Sequence, residues 1–132
     1  AGADRGYSNY PTFNSPDSLA TSLKKIGIDV ISLAGNHALD YGYSGLCRTI
    51  DVLDKADISH LGTYKTAEDQ EKILIKYVKG VKIAFINYTY GTNGIPVPSD
   101  KKSFGTVYIP KAVKQSADCR TQRIRKAAHR NG

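Results

Sequence analysis

The sequence predicts an α/β protein, and three observations lead to this fold class. Candidate helices and strands alternate along the chain, the main strand candidate is a short run of β-branched residues, and apolar residues make up 40% of the 132 positions. That apolar fraction is typical of a packed core rather than a disordered chain. Alternating elements favour helices that cover a largely parallel or mixed sheet, and the length suits one domain or a large part of one.

The first predicted elements are a loop, a helix and a buried strand. Residues 1–14 are rich in Gly, Asn, Tyr and Ser, which indicates a loop. The residues Ser15-Pro16-Asp17 suit a helix start, because Ser can cap a helix, Pro fits its first position and Asp favours its positive end. The apolar residues on the predicted face of this helix are Leu19, Ala20, Leu23 and Ile26, and Gly27 ends it. Residues 28–33 then form a β-branched run typical of a buried parallel strand.

The alternation continues with a helix, a strand and a hairpin. After a glycine-containing loop through Gly42 and Gly45, apolar residues recur at helical spacing at Leu46, Cys47, Ile50 and Leu53. Residues 58–61 are a short strand candidate. Residues 72–78 and 82–90 predict two strands joined by a turn at Lys79-Gly80. Beyond a loop at 92–103, we expect a short strand at 107–109 and a basic helix at 112–129.

The net charge of +7 is concentrated at the end of the chain. Residues 1–110 carry twelve Lys or Arg against eleven Asp or Glu, whereas residues 111–132 carry seven against one. The basic stretch lacks interleaved aromatic residues that could stack on bases, so a solvated helix face explains it better than a nucleic-acid site. No apolar run reaches the roughly 20 residues of a membrane-spanning helix.

The cysteines and two of the histidines show no pattern of a metal site. Cys47 and Cys119 are not spaced as metal ligands, and we expect Cys47 to be a small buried side chain. His60 falls in a predicted strand and His129 in the basic helix. Both histidines are expected to be surface or structural residues.

The segment Gly35-Asn36-His37, with Asp40 nearby, is the strongest candidate for chemistry, because it directly follows the predicted buried strand. Ligands of α/β proteins collect where strands end at their carboxyl edge. Gly35 permits close approach of the backbone to a ligand, and Asn36 offers a neutral oxygen to a hard metal ion. His37 can ligate a metal or donate a proton, and Asp40 lies close enough to accept the other ring N–H of His37.

The same residues also fit a simple structural turn. Asn in a left-handed conformation and Asp as a helix cap would give a strand-to-helix turn that binds nothing. Further along, Tyr88, Tyr90 and Asn93 lie at the end of a predicted strand and in a glycine-rich loop, where they could line the same cleft. Tyrosines in such positions are also commonly half-buried strand residues.

Several segments resemble the CapA family of capsule (poly-γ-glutamate) biosynthesis proteins. They are Tyr10-Pro11-x-Phe13-Asn14-x-Pro16, residues 27–42 with Gly45-Leu46, residues 80–85 and residues 88–96. These segments occur in the expected order over most of the chain. CapA proteins are similar in fold to calcineurin-like metallophosphoesterases. The resemblance therefore implies that residues 1–132 form a single partial domain, a metallophosphoesterase-like layered α/β sandwich with a mixed sheet.

The resemblance implies roles for the candidate residues. The central metallophosphoesterase motif is Gly-Asn-His followed by an acid, whereas here Ala38 follows and the acid is Asp40, which is similar to CapA proteins rather than to ordinary phosphodiesterases. Asn36 and His37 would ligate a metal. His37 would also face a phosphate as hydrogen-bond donor or general acid, and Asp40 would be its catalytic partner.

The resemblance also implies what the chain by itself does not contain. The family pattern has an earlier Gly-Asp motif and later His motifs, and neither occurs in residues 1–132. We therefore expect an internal fragment that is inactive alone and need not hold a metal. In the full-length parent we expect divalent Mn, Mg, Zn or Fe and hydrolysis of a phosphoester or pyrophosphate. The alternative is a non-catalytic subunit that binds polymer or partner proteins.

The expected partners and location follow from the same resemblance. The partners would be poly-γ-glutamate or a phosphorylated substrate, together with the membrane proteins of capsule synthesis. The location would be the extracytoplasmic cell surface, with anchoring through a membrane segment outside this chain. Exposed sheet edges and apolar surface would favour a homo-oligomer.

Overall fold

The computed structural model describes residues 2–97, in which helices and strands alternate as predicted. The elements in chain order are a 3-10 turn Ala3–Arg5, α1 Ser18–Lys25, β1 Val30–Ser32, α2 Gly42–Lys55, β2 Ser59–Leu61, α3 Ala67–Glu71, β3 Leu74–Val78 and β4 Val81–Phe85. The α/β class is confirmed. The short helix α3 was not predicted, and the strand and basic helix expected at 107–109 and 112–129 lie outside the described residues.

Strands β1 and β2 form a parallel pair that α2 connects. Val30 pairs with Ser59 and Ser32 with Leu61. One further hydrogen bond, from the Leu33 N–H to the Leu61 carbonyl at 2.9 Å, extends the pairing past β1. Because the strands are parallel, their carboxyl ends meet at one edge, and the chain leaves β1 there into Gly35-Asn36-His37.

Strands β3 and β4 form an antiparallel hairpin around the predicted turn. Lys79 and Gly80 both have positive φ angles, 49° and 81°, as a two-residue hairpin turn requires. Val78 pairs with Val81 and Leu74 with Phe85. Strand β4 ends at Phe85 rather than at residue 90. Within residues 2–97 the hairpin and the parallel pair are two separate two-stranded sheets.

The core consists of two apolar clusters that α2 joins. One cluster contains Ala20, Leu53 and Ile58. The other contains Leu39, Leu46 and Ile50, with Cys47 partly buried against it. The apolar stripe predicted for α2 is therefore confirmed as its buried face. The stripe predicted for α1 is buried only in part, since Leu19 is 46% and Ile26 75% exposed.

The helix starts differ from those predicted. Helix α1 begins at Ser18, its N-cap residue is Asp17, and no side chain caps it, so Ser15 does not have the predicted capping role. The Asp17 carboxylate instead accepts two hydrogen bonds of 2.7 Å from Arg48 of α2. Helix α2 begins at Gly42, inside the segment predicted as a loop. Within residues 2–97, no helix combines the length and apolar character needed to cross a membrane.

Candidate functional site

The Gly35-Asn36-His37 corner is held in place at the carboxyl edge of the parallel pair. The Ala34 N–H donates to the Asn87 side-chain oxygen at 2.7 Å, which ties the corner to the segment after β4. Gly62, directly after β2, packs against the Ala34 backbone so closely that an added Cβ would lie 2.7 Å from the Ala34 nitrogen. The corner is therefore fixed by neighbours on both sides.

His37 and Asp40 form a hydrogen-bonded pair in this corner. The His37 Nδ1 lies 3.0 Å and 2.9 Å from the two Asp40 carboxylate oxygens. Turn hydrogen bonds bring the two residues together, since the Asp40 N–H donates to the His37 carbonyl at 3.2 Å. The Asp40 side chain is 4% exposed and that of His37 is 30% exposed. Asp40 as acceptor keeps the proton of a neutral imidazole on Nδ1 and leaves Nε2 for a ligand.

The N-terminal loop supports this pair through Phe13. The Phe13 N–H donates to the Asp40 Oδ2 at 2.8 Å. The Phe13 and His37 rings are 4.6 Å apart between centroids and nearly perpendicular, at 87°. Asp40 therefore accepts hydrogen bonds from two chain segments rather than capping α2, whose N-cap residue is Tyr41 without a side-chain cap.

Asn93 lies beside the two candidate ligands. The Asn36 Nδ2 donates to the Asn93 Oδ1 at 2.9 Å. The Asn93 Nδ2 lies 3.3 Å from Nδ1 and 3.4 Å from Nε2 of His37. Because it is almost equidistant from the two ring nitrogens, it does not lie along the in-plane direction of either one. Asn93 therefore touches the imidazole at both nitrogens without a well-directed hydrogen bond to Nε2.

A cavity of about 310 Å³, here called the His37 cavity, opens beside the corner. Its walls come from the end of β1, the corner, one face of α2 and the residue after Gly62: Ser32, Leu33, Ala34, Gly35, Asn36, His37, Ala38, Leu46, Thr49 and Thr63. Thr63 is 2% exposed, and its hydroxyl has no hydrogen-bond partner among the residues described. The cavity therefore combines an apolar floor with an amide, an imidazole and a buried hydroxyl.

A divalent metal does not fit the residues of this corner alone. Asn36 and His37 supply two donors, whereas a bound metal needs four to six or more. Within residues 2–97 no group of three or more His, Cys, Asp or Glu side chains is arranged to hold a metal ion. The corner provides part of a ligand set and no complete metal centre.

The predicted tyrosines are not among the walls of the His37 cavity. Because β4 ends at Phe85, Tyr88 and Tyr90 lie in the extended segment beyond it. Tyr88 lines a separate cavity of about 250 Å³ next to Ile73 and Phe85. Tyr90 is 80% exposed. Of the three residues predicted to line the cleft from this part of the chain, Asn93 is the one in contact with the corner.

His60 has the structural position that was predicted. It lies in β2, and its Nε2 is 2.9 Å from an Asp54 oxygen. It is not a wall of the His37 cavity.

Sequence reasoning missed Phe13, Asn87 and Thr63 as residues of the site. Phe13 stood within a motif, but nothing in its residue type indicated contact with His37. Asn87 is a polar residue at the end of an apolar run, which was the available signal. Nothing in the sequence indicated Thr63, because it is distinguished only by the burial of its hydroxyl in the folded structure.

Comparison with known proteins shows which family the chain resembles. The profile of the bacterial capsule synthesis protein family PGA_cap matches residues 1–131. The capsule biosynthesis protein CapA of Bacillus anthracis is 30% identical over 76 residues, which are 58% of this chain and 18% of that protein. The PGA biosynthesis protein CapA of Bacillus subtilis is 34% identical over 68 residues, 51% of this chain and 18% of that protein.

The matched region is a small part of those curated relatives, 18% of the length of each. No solved structure matches the chain. The family match nevertheless covers nearly all 132 residues, including the corner, the Phe13 loop and the hairpin. The chain belongs to the PGA_cap family of bacterial capsule synthesis proteins.

Proposed function

We propose that the His37 cavity forms part of an active site. In the full-length protein this site would hydrolyse a phosphoester or pyrophosphate during capsule synthesis. The observation that supports this proposal is the His37–Asp40 pair at the cavity edge, with the Asp40 side chain 4% exposed and bonded to the His37 Nδ1. A buried carboxylate that orients an imidazole is a common device for proton transfer and for binding of oxyanions.

His37 and Asn36 have different proposed roles, which follow from their side-chain chemistry. With Nδ1 bonded to Asp40, His37 presents Nε2, which can offer a lone pair to a metal ion or, when that nitrogen carries a proton, donate it to a phosphoryl or leaving-group oxygen; the two roles exclude each other. Asn36 places a neutral amide next to it, which can contribute an oxygen to a metal shell. Any divalent cation, whether Mn, Mg, Zn or Fe, would need further ligands beyond these two. When bound, such a cation supplies Lewis-acid polarisation of the phosphoryl group.

Turnover by the full-length protein tests this proposal. We expect manganese-dependent hydrolysis of a chromogenic phosphoester, and we expect His37→Ala to lower kcat by about 100-fold or more, as for loss of a general acid. Asn36→Ala should lower turnover and weaken its dependence on metal. His60→Ala is the matched control, because it removes a histidine from β2 outside the cavity. Turnover unchanged in both His37→Ala and Asn36→Ala would refute the catalytic assignment.

A second candidate function is non-catalytic binding of poly-γ-glutamate or of the membrane proteins of capsule synthesis. The printed roles of the curated relatives, capsule and PGA biosynthesis, are compatible with it. Under this alternative, the full-length protein binds fluorescent poly-γ-glutamate in the presence of a chelator, and Asn36→Ala retains that binding. Binding that requires metal and is lost in Asn36→Ala would instead favour the catalytic site.

A further inference from the structure

Phe13 contacts both members of the His37–Asp40 pair at once. Its N–H donates to the Asp40 Oδ2 at 2.8 Å, and its ring packs edge-to-face on His37 with centroids 4.6 Å apart. We propose that Phe13 is a positioning residue that fixes the orientation of the His37 imidazole, an inference that rests on the proposed function of the pair. Phe13 is not a wall of the His37 cavity, so it acts through His37 rather than on a ligand.

The loop that carries Phe13 is tied down on both sides. Ser8 and Asn14 close it with two backbone hydrogen bonds of 3.1 Å and 3.0 Å. The Asn14 side chain, in a residue 5% exposed, bonds the backbone N–H and carbonyl of Gly2 at 2.8 Å each. The Ser8 hydroxyl lies 2.8 Å from the hydroxyl of Tyr41, the residue after Asp40. The loop therefore holds Phe13 at a fixed place relative to the pair.

The contacts of Phe13 restrict the two motions that would disorder the pair. Asp40 Oδ2 accepts both the His37 ring proton and the Phe13 N–H, so a displacement of the carboxylate away from His37 would also break its hydrogen bond with Phe13. A half-turn of the imidazole would put a carbon in place of Nδ1 and leave Asp40 without its partner. The Phe13 ring hinders that half-turn, because the imidazole must sweep through the space beside the ring, while the bond from Nδ1 to Asp40 decides which of the two orientations is favoured.

The first test is kinetic and uses the full-length protein. Phe13→Leu keeps an apolar side chain and the backbone N–H but removes the ring. We expect it to lower kcat by about 10- to 100-fold with KM unchanged, as for misplacement of a catalytic group. Phe13→Tyr keeps the ring and should restore kcat. Tyr7→Leu, which removes an exposed aromatic ring that has no stacking contact with His37, should leave kcat unchanged.

The second test does not depend on activity. The ring nitrogens of His37 in the 132-residue chain, labelled with 15N-histidine and assigned by His37→Ala, report the tautomer through their chemical-shift separation. We expect a single Nδ1–H tautomer in the wild type and a mixture in Phe13→Leu. The same tautomer in both would overturn the inference. If His37→Ala leaves turnover unchanged, the proposed function fails, and the tautomer still decides whether Phe13 positions the ring.

Discussion

At the residue scale, Gly62 occupies a position beside the candidate site where no larger side chain fits. It follows β2 directly, has a φ of +95°, and lies against Ala34 and the Asn87 side chain. An added Cβ would lie 2.7 Å from both the nitrogen and the Cβ of Ala34, a separation that real side chains do not adopt. Glycine is thus required at position 62 for two reasons. One is the positive φ angle, and the other is the close approach to the segment that leads into Asn36 and His37.

Substitution of Gly62 should destabilise the protein more than backbone strain alone explains. Gly27 has a similar φ of +89° with nothing within 4 Å of an added Cβ, so Gly27→Ala measures the strain by itself, about 1–3 kcal/mol. Gly62→Ala should cost about 1–3 kcal/mol more, because overpacking adds to the strain. Urea unfolding of the two variants measures the difference. Equal losses of stability would contradict the close approach of Gly62 to Ala34.

At the scale of elements, α1 and α2 are joined by one charged contact in addition to their apolar packing. Arg48 donates two hydrogen bonds of 2.7 Å to the carboxylate oxygens of Asp17. These bonds hold the pKa of Asp17 below its ordinary value of 3.8. Because the pKa is lowered in the folded state, the stabilisation is fully present above the unfolded pKa and is lost as the pH falls through the folded pKa.

The contribution of the Asp17–Arg48 contact should therefore vanish in acid. We expect Arg48→Gln to be less stable than the wild type at neutral pH, and the difference to shrink once Asp17 is protonated. The carboxyl pKa of Asp17, measured by NMR, should rise in Arg48→Gln. A double-mutant cycle with Asp17→Asn isolates the pair at each pH. A coupling that does not change between neutral and acid pH would show that packing, not charge, joins the helices.

At the scale of the whole molecule, one exposed face of the hairpin combines apolar side chains with Lys82, whose Nζ lies 5.9 Å from the centroid of the Tyr77 ring. Register places Ile75 and Tyr77 on one face, opposite Ala84 and Lys82. Tyr77 is 73% exposed and Ile75 38% exposed. Ile75 and Tyr77 belong to neither of the two core clusters, and exposed apolar side chains grouped on one face commonly mark an interaction site.

We predict that the chain self-associates through this face of the hairpin. Tyr77→Glu should shift the chain toward the monomer in sedimentation velocity, because it places a charge in the contact. Ile26→Glu is the matched control, since Ile26 is 75% exposed at the end of α1, away from the hairpin. A wild-type chain that sediments as a monomer at every concentration, or an equal effect of both variants, would refute the prediction.

Local sequence was sufficient to predict the α/β class and most of the elements. The buried face of α2 follows from apolar spacing, and the hairpin follows from Lys79-Gly80 between two apolar runs, because both signals lie within one element. The ends of elements were predicted less well. Helix α1 starts at Ser18, and the Asp17 side chain binds Arg48 of another helix instead of capping α1, a contact that no local pattern predicts.

The same distinction between local patterns and distant contacts applies to the candidate site. Gly35, Asn36, His37 and Asp40 could be proposed from the sequence, since all four lie within six positions and a single turn brings His37 to Asp40. Phe13 contacts Asp40 from 27 positions away in the sequence. Asn93 contacts Asn36 from 57 positions away. Only folding determines such distant contacts, because they depend on how loops cross the carboxyl edge of β1 and β2. The sequence by itself thus predicted the His37–Asp40 pair as a candidate, and the tertiary structure decided which distant residues contact it: Phe13 touches both members, and Asn93 lies beside the imidazole.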